Sequence, residues 1–135
     1  MLELTRPLTQ RHEIVHDVRG LGLIWAIEFA APSGRARRTV FNALERAQPG
    51  LFAQLITVPL FHEHRILIQV AGHRMNVVKA LPSLLIDEAE VRRFADALAD
   101  AVAKSERTAR AMTRLGLTTA HATVGAHRPK RATAA

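Results

Sequence analysis

Residues 18–29 read VRGLGLIWAIEF, and from Leu21 onward the odd positions Leu21, Leu23, Trp25, Ile27 and Phe29 are all apolar. The even positions Gly22, Ile24, Ala26 and Glu28 are mostly apolar too, so the period of two describes a strand largely buried on both sides. Gly20 and Gly22 predict a bend or a close backbone approach at the start of that strand.

Working outward, residues 2–12 have modest helical character interrupted by Pro7 and predict the end of a connecting helix followed by a loop. Residues 31–38, with Pro32, Ser33, Gly34 and the run RARR, predict a solvated loop. Past Pro49-Gly50, Leu51, Phe52, Leu55, Ile56, Leu60 and Phe61 recur at helical spacing, so residues 51–65 predict a helix kinked by Pro59. Residues 66–70 and 76–81 are short β-rich runs separated by AGHRM, the pattern of neighbouring antiparallel strands. Asp87 then stands at a helix N-cap position with Glu90 three residues on. Val91, Phe94, Ala95, Leu98, Ala101 and Val102 follow at i, i+3, i+4 spacing as an amphipathic helix to about Ser105. Gly116 is the expected end of any prolongation, and residues from Thr118 have the composition of a disordered tail.

This order of elements predicts an α+β fold, a small antiparallel sheet covered by helices with a disordered basic tail. At 135 residues the chain holds at most one domain, and 48% apolar residues with only 4% aromatics require a core of Leu, Ile, Val and Ala. The absence of Cys removes disulfides, thiolate nucleophiles and cysteine-based zinc sites, and is compatible with a reducing cytoplasm. No apolar run approaches the roughly 20 residues that span a bilayer, and no signal-peptide core follows the N-terminus, so a cytoplasmic protein is expected. The net charge of +7 is unevenly placed: residues 1–106 carry thirteen Lys and Arg against twelve Asp and Glu, and residues 107–135 supply the other six charges with no acid.

Three segments, VRGLGLIWAIEF, LFAQLITVPLFHEHRIL at 51–67 and NVVKALPSLLIDEAEV at 76–91, together resemble the small C-terminal domain of class III pyridoxal-phosphate-dependent aminotransferases. Each alone is a buried strand or a capped helix; their order and spacing carry the resemblance, which covers about residues 18–104. It implies the C-terminal domain of a fold-type I enzyme that moves an amino group between an amino acid or amine and a 2-oxo acid. On this basis residues 1–17 are a connecting helix and loop, 18–106 the aminotransferase-like small domain, and 107–135 a basic helical extension and disordered tail. The family holds its cofactor as a Schiff base on a lysine of a preceding large domain. With Met1 a short way upstream of Val18, that part is expected to be absent, so the truncated chain is expected neither to bind pyridoxal phosphate covalently nor to turn over. An apolar surface left exposed is expected to favour self-association or a large-domain partner chain.

The lysines are Lys79, Lys104 and Lys130. Lys79 occupies the place where many relatives carry an arginine that grips a substrate carboxylate, which makes it the candidate substrate-binding residue. A point-charge ammonium replaces a two-pronged guanidinium there, and the alternative for Lys79 is a sheet-edge position with its ammonium in water. Trp25 is expected in the core, and His73 in a solvent-facing turn.

Two rival chemistries are present. His12-Glu13-Ile14-Val15-His16 matches H-E-x-x-H, which on a helix would present His12 and His16 to zinc with Glu13 as general base, as in a small metallopeptidase. Against it, a strand follows at once and no third ligand is fixed by spacing, although His62, His64 and His73 are available; a polar loop with chance histidines is the simpler reading. His62 and His64, flanking Glu63, are expected on the surface near a helix C-terminus. The basic tail is the other rival, a nucleic-acid-attracting module, but it lacks interleaved aromatics and a recognition helix.

Overall fold

The apolar alternation that begins at Leu21 belongs to a hairpin. In the computed structural model, which describes residues 2–72 and 75–126, Val15–Leu21 forms β1 and Ile24–Phe29 forms β2, joined by the two residues Gly22 and Leu23. Gly22 has φ +57°, the positive value that the first residue of a type II′ hairpin loop needs and that only glycine adopts freely. The strand expected to start at Leu21 is therefore divided. Its first arm is hard to see in sequence because the irregularity between Val15 and Asp17 breaks the period of two at His16.

Before the hairpin lie two short helices, α1 (Leu2–Thr5) and α2 (Pro7–Arg11), with Pro7 opening the second, where its missing N–H is harmless. After it comes α3 (Arg35–Ala47), so the RARR run is the first turn of a helix and not a loop. Basic residues at a helix N-terminus oppose the helix dipole, which is why the sequence reads otherwise. Here Arg38 Nε donates to Pro32 O at 3.0 Å and Arg37 donates to Glu13 at 2.8 Å, tying the charged turn to neighbouring chain. At the corner between α3 and α4 (Leu51–His62), Gly50 turns with φ +84° and offers no side-chain cap. The Glu45 carboxylate takes its place, accepting from Gly50 N at 2.9 Å and Phe52 N at 3.0 Å. α4 continues through Pro59 but stops at His62, short of the expected Arg65, because Arg65 reverses the chain with φ +57°.

The two expected antiparallel strands are β3 (Gln69–Val70) and β4 (Val77–Ala80). β4 pairs with β2 as well, giving one four-stranded antiparallel sheet in the order β1-β2-β4-β3. Asp87 and Glu90 form the expected capping box: Glu90 N donates to Asp87 Oδ1 at 2.8 Å and Asp87 N to Glu90 Oε2 at 3.3 Å. The helix they start, α5 (Glu88–Ala126), carries its backbone past Gly116, a correction to the expected stop. One helical glycine costs only about 1 kcal/mol. The last residues expected to be disordered, 127–135, lie outside the described residues, as does His73.

One core holds these elements. Val18, Trp25, Ile27, Phe29, Val78 and Ala80 project from one face of the sheet into a cluster with Phe52, Ile56 and Leu60 of α4 and Leu98 and Val102 of α5. Phe52 packs with tilted rings between Phe29 and Phe41, whose centroids are 5.8 Å and 4.8 Å away. The observed architecture is thus the α+β arrangement expected: a small antiparallel sheet with helices on one face.

Candidate functional site: the open face of the sheet

Because side chains alternate along a strand, the face opposite the core is fixed by the register. Ala26 pairs with Arg19 on one side and Lys79 on the other, and Lys79 pairs with Gln69. Arg19, Ala26, Lys79 and Gln69 therefore form one row across all four strands. Lys79 stands on β4, a central strand, rather than at the sheet edge. It is half-buried, and among the described residues no carboxylate is paired with its ammonium.

Arg19, by contrast, is already paired with carboxylates. Its guanidinium donates to Glu28 Oε2 at 2.6 Å and Asp17 Oδ2 at 2.9 Å, and these bonds, Glu28's first, raise its pKa above the ordinary value. Asp17 and Glu28 are cross-strand partners, so they sit one row beyond Arg19 on the same face. Among the described residues Lys79 is the cation on this face without a carboxylate partner, and it stands beside the small Ala26.

The opposite neighbour of that row is apolar. Leu21 pairs with Ile24, and continuing the register past Trp25 and Ala80 sets Ile24 against Leu81, then Leu81 against Leu67. All four are exposed, Leu21 and Leu67 by 85% and 81%. Leu84 and Leu85, in the turn after Pro82, are exposed as well. Trp25 points the other way and is buried among core residues, as its strand parity requires.

The H-E-x-x-H residues do not converge. His12 caps the end of α2, Glu13 lies in the following turn and His16 is exposed on β1, so the helical face that would align two imidazoles does not exist. Glu13 accepts from Ser33 N at 2.6 Å, from the Ser33 hydroxyl and from Arg37; the Ser33 bonds chiefly lower its pKa, leaving a locked carboxylate rather than a general base. His12 Nδ1 lies 3.3 Å from Glu106 Oε2 but without hydrogen-bond alignment. The zinc metallopeptidase reading is not favoured. Of the six cations in the basic-tail reading, Arg107, Arg110 and Arg114 lie on α5, with Arg110 bonded to Glu106, and Arg128, Lys130 and Arg131 lie outside the described residues.

One cluster escapes sequence reading because its members are far apart in the chain. Glu63, His64 and Asp100 bring ligand-type atoms within 4.8 Å of one another. His64 Nε2 lies 2.9 Å from Asp100 Oδ2, so His64 ties the end of α4 to α5 instead of standing free on the surface. Lys104 bonds both Glu63 and Asp100, the latter at 2.7 Å, and supplies the cation itself. The Lys104 bond first, then His64, holds the Asp100 pKa below its ordinary value. A carboxylate depressed in the folded state stabilises above its unfolded pKa and loses that contribution as pH falls through the folded one. Urea unfolding between pH 7 and about pH 2 is expected to show a stability loss that begins near pH 4 and is smaller in Asp100→Asn; an identical acid limb in the variant would contradict the pairing.

Comparison with protein-family models and with curated proteins finds no match. Solved structures do match. A transaminase from the marine bacterium Virgibacillus superposes with TM-score 0.62 at 22% identity, over 79% of this chain and 23% of that one. The adenosylmethionine-8-amino-7-oxononanoate aminotransferase of Methanocaldococcus jannaschii gives 0.55 at 26% identity, over 76% and 20%. A transaminase from directed evolution by ancestral reconstruction gives 0.55 at 24%, over 78% and 23%. The chain spans between a fifth and a quarter of these proteins. No helix among the described residues is long and apolar enough to cross a membrane. The fold built here from the VRGLGLIWAIEF hairpin is one that solved aminotransferases contain as part of a larger chain.

Proposed function

We propose that this chain is the small C-terminal domain of a class III, pyridoxal-phosphate-dependent aminotransferase, a cytoplasmic enzyme acting on an amino donor and a 2-oxo acid. The observation that carries it is the coincidence of that fold with an open sheet face on which Lys79 presents an unpaired ammonium. In this reading the face looks toward the substrate, and Lys79 attracts its carboxylate.

Lys104 does not fit the cofactor chemistry. A Schiff-base lysine must shed its proton to attack a carbonyl. Lys104 is held protonated by Asp100 first and Glu63 second, which raise its pKa. The N-terminus of α5, where a phosphate could gather backbone N–H groups, is already closed by the Asp87 carboxylate. In this reading Lys79 serves the substrate carboxylate, pyridoxal phosphate is held by another portion of the enzyme, and this chain contributes carboxylate recognition. Titration with 2-oxoglutarate, followed through backbone amide shifts, tests that role. Shifts centred on Ala26, Lys79 and Gln69 with millimolar affinity are expected, as is their loss in Lys79→Met. Lys79→Arg should bind about three- to tenfold more tightly through two-pronged donation. Shifts elsewhere, or shifts that survive Lys79→Met, contradict the assignment.

A further inference from the structure

We propose that the open sheet face docks onto the same face of a second copy of this chain, about a two-fold axis running along the strands. This stands on the composition of the face alone and goes beyond the aminotransferase reading.

The face is complementary to itself. An axis along the strands keeps each row over its own counterpart while reversing the strand order. The apolar row of Leu21, Ile24, Leu81 and Leu67 then meets the same row of the copy, and side chains exposed by 55–85% leave water together. In the next row the reversal sets Lys79 over Ala26 of the copy and Arg19 over Gln69, so no cation meets a cation. The small Ala26 gives the lysine stem room, and Glu28 of the copy lies one row away as a diagonal partner. An isologous contact needs a patch that complements itself in this way. An axis across the strands that stacks the leucine row on itself leaves the charged rows unopposed.

Size sets the strength. Four strands about 4.8 Å apart and three rows about 6.7 Å apart make a footprint of roughly 400 Å² on each copy. Twice that is below the roughly 1,200 Å² of a standard stable interface, so the dimer is weak, with a Kd on the order of 0.1–1 mM.

Sedimentation velocity from about 20 µM to 1 mM tests this with the chain as it is. The weight-average mass is expected to rise from monomer toward dimer, and Leu21→Glu is expected to hold it at monomer throughout. Leu21 is exposed, so that variant should keep the wild-type melting temperature at the lowest concentration, which separates lost docking from lost folding. Ile24→Glu serves as the second variant. A mass that stays monomeric at 1 mM in the wild type, or association that persists unchanged in both variants, overturns the proposal. Docking covers Lys79, so carboxylate binding is titrated at the lowest concentration, where the chain is monomeric, and self-docking is read from its concentration dependence.

Discussion

Leu98→Ala should lower the unfolding free energy by about 3 kcal/mol, within the roughly 2–5 kcal/mol range for deleting a buried leucine. Leu98 has no exposed surface and lies on the face of α5 that meets α4 and the sheet. Two terms add. Its methyl groups lose their transfer free energy, and the surrounding Phe52, Ile56, Leu60, Val78 and Val102 can close the void only in part. Phe52, Ile56, Leu60 and Val78 come from α4 and β4, whose positions are fixed by further contacts, so relaxation is limited. A domain of this kind holds about 5–15 kcal/mol in all, and the variant gives up a large share of it. In urea the midpoint should fall with the slope unchanged. A loss below about 1 kcal/mol would mean that α5 does not close this core.

The second large effect is at Gly20. A Cβ there would stand 2.2 Å from Trp25 Cδ1 and 2.8 Å from the Ile24 carbonyl oxygen. Gly20 and Trp25 face each other across β1 and β2, and the indole lies over the space a side chain would fill. One of the two obstacles is backbone, so rotation of the tryptophan alone cannot relieve the crowding. Gly20→Ala is expected to cost about 2–3 kcal/mol, near the upper end for overpacking. Gly22→Ala makes the contrast. Nothing lies within 4 Å of its Cβ position, and the cost is only the left-handed backbone at φ +57°, about 1 kcal/mol. Trp25 is the chain's one tryptophan and is buried, so its emission reports directly. A red shift is expected in Gly20→Ala and none in Gly22→Ala. Equal behaviour of the two variants would contradict the hairpin register.

The elements legible in sequence are those whose local chemistry agrees with their final environment. Asp87 and Glu90 cap α5, the spacing from Val91 to Val102 is that of its buried stripe, and the short runs around Gln69 and Val77 pair as strands. Reading failed where tertiary contacts override local preference. β1 is half polar because its outer face carries Asp17 and Arg19, and α3 begins with arginines that only Glu13 and Pro32 O make tolerable. The open face is invisible for another reason. Leu21, Ile24, Leu67 and Leu81 belong to one row only once the strand order β1-β2-β4-β3 is known. The same holds for His64 and Asp100, 36 residues apart. The resemblance points to Lys79, and the register adds that it faces away from the core beside Ala26.

The most direct test of the account is the absorbance spectrum of the purified chain mixed with pyridoxal phosphate, before and after borohydride reduction, with mass analysis of the product. No imine band and no adduct at a specific lysine are expected, because Lys104 is held protonated between Asp100 and Glu63 and Lys79 is proposed to attract a carboxylate. A stable imine reduced onto one lysine, Lys79 above all, would show that the chain holds the cofactor unaided and would contradict its assignment as the substrate-facing part of a larger aminotransferase.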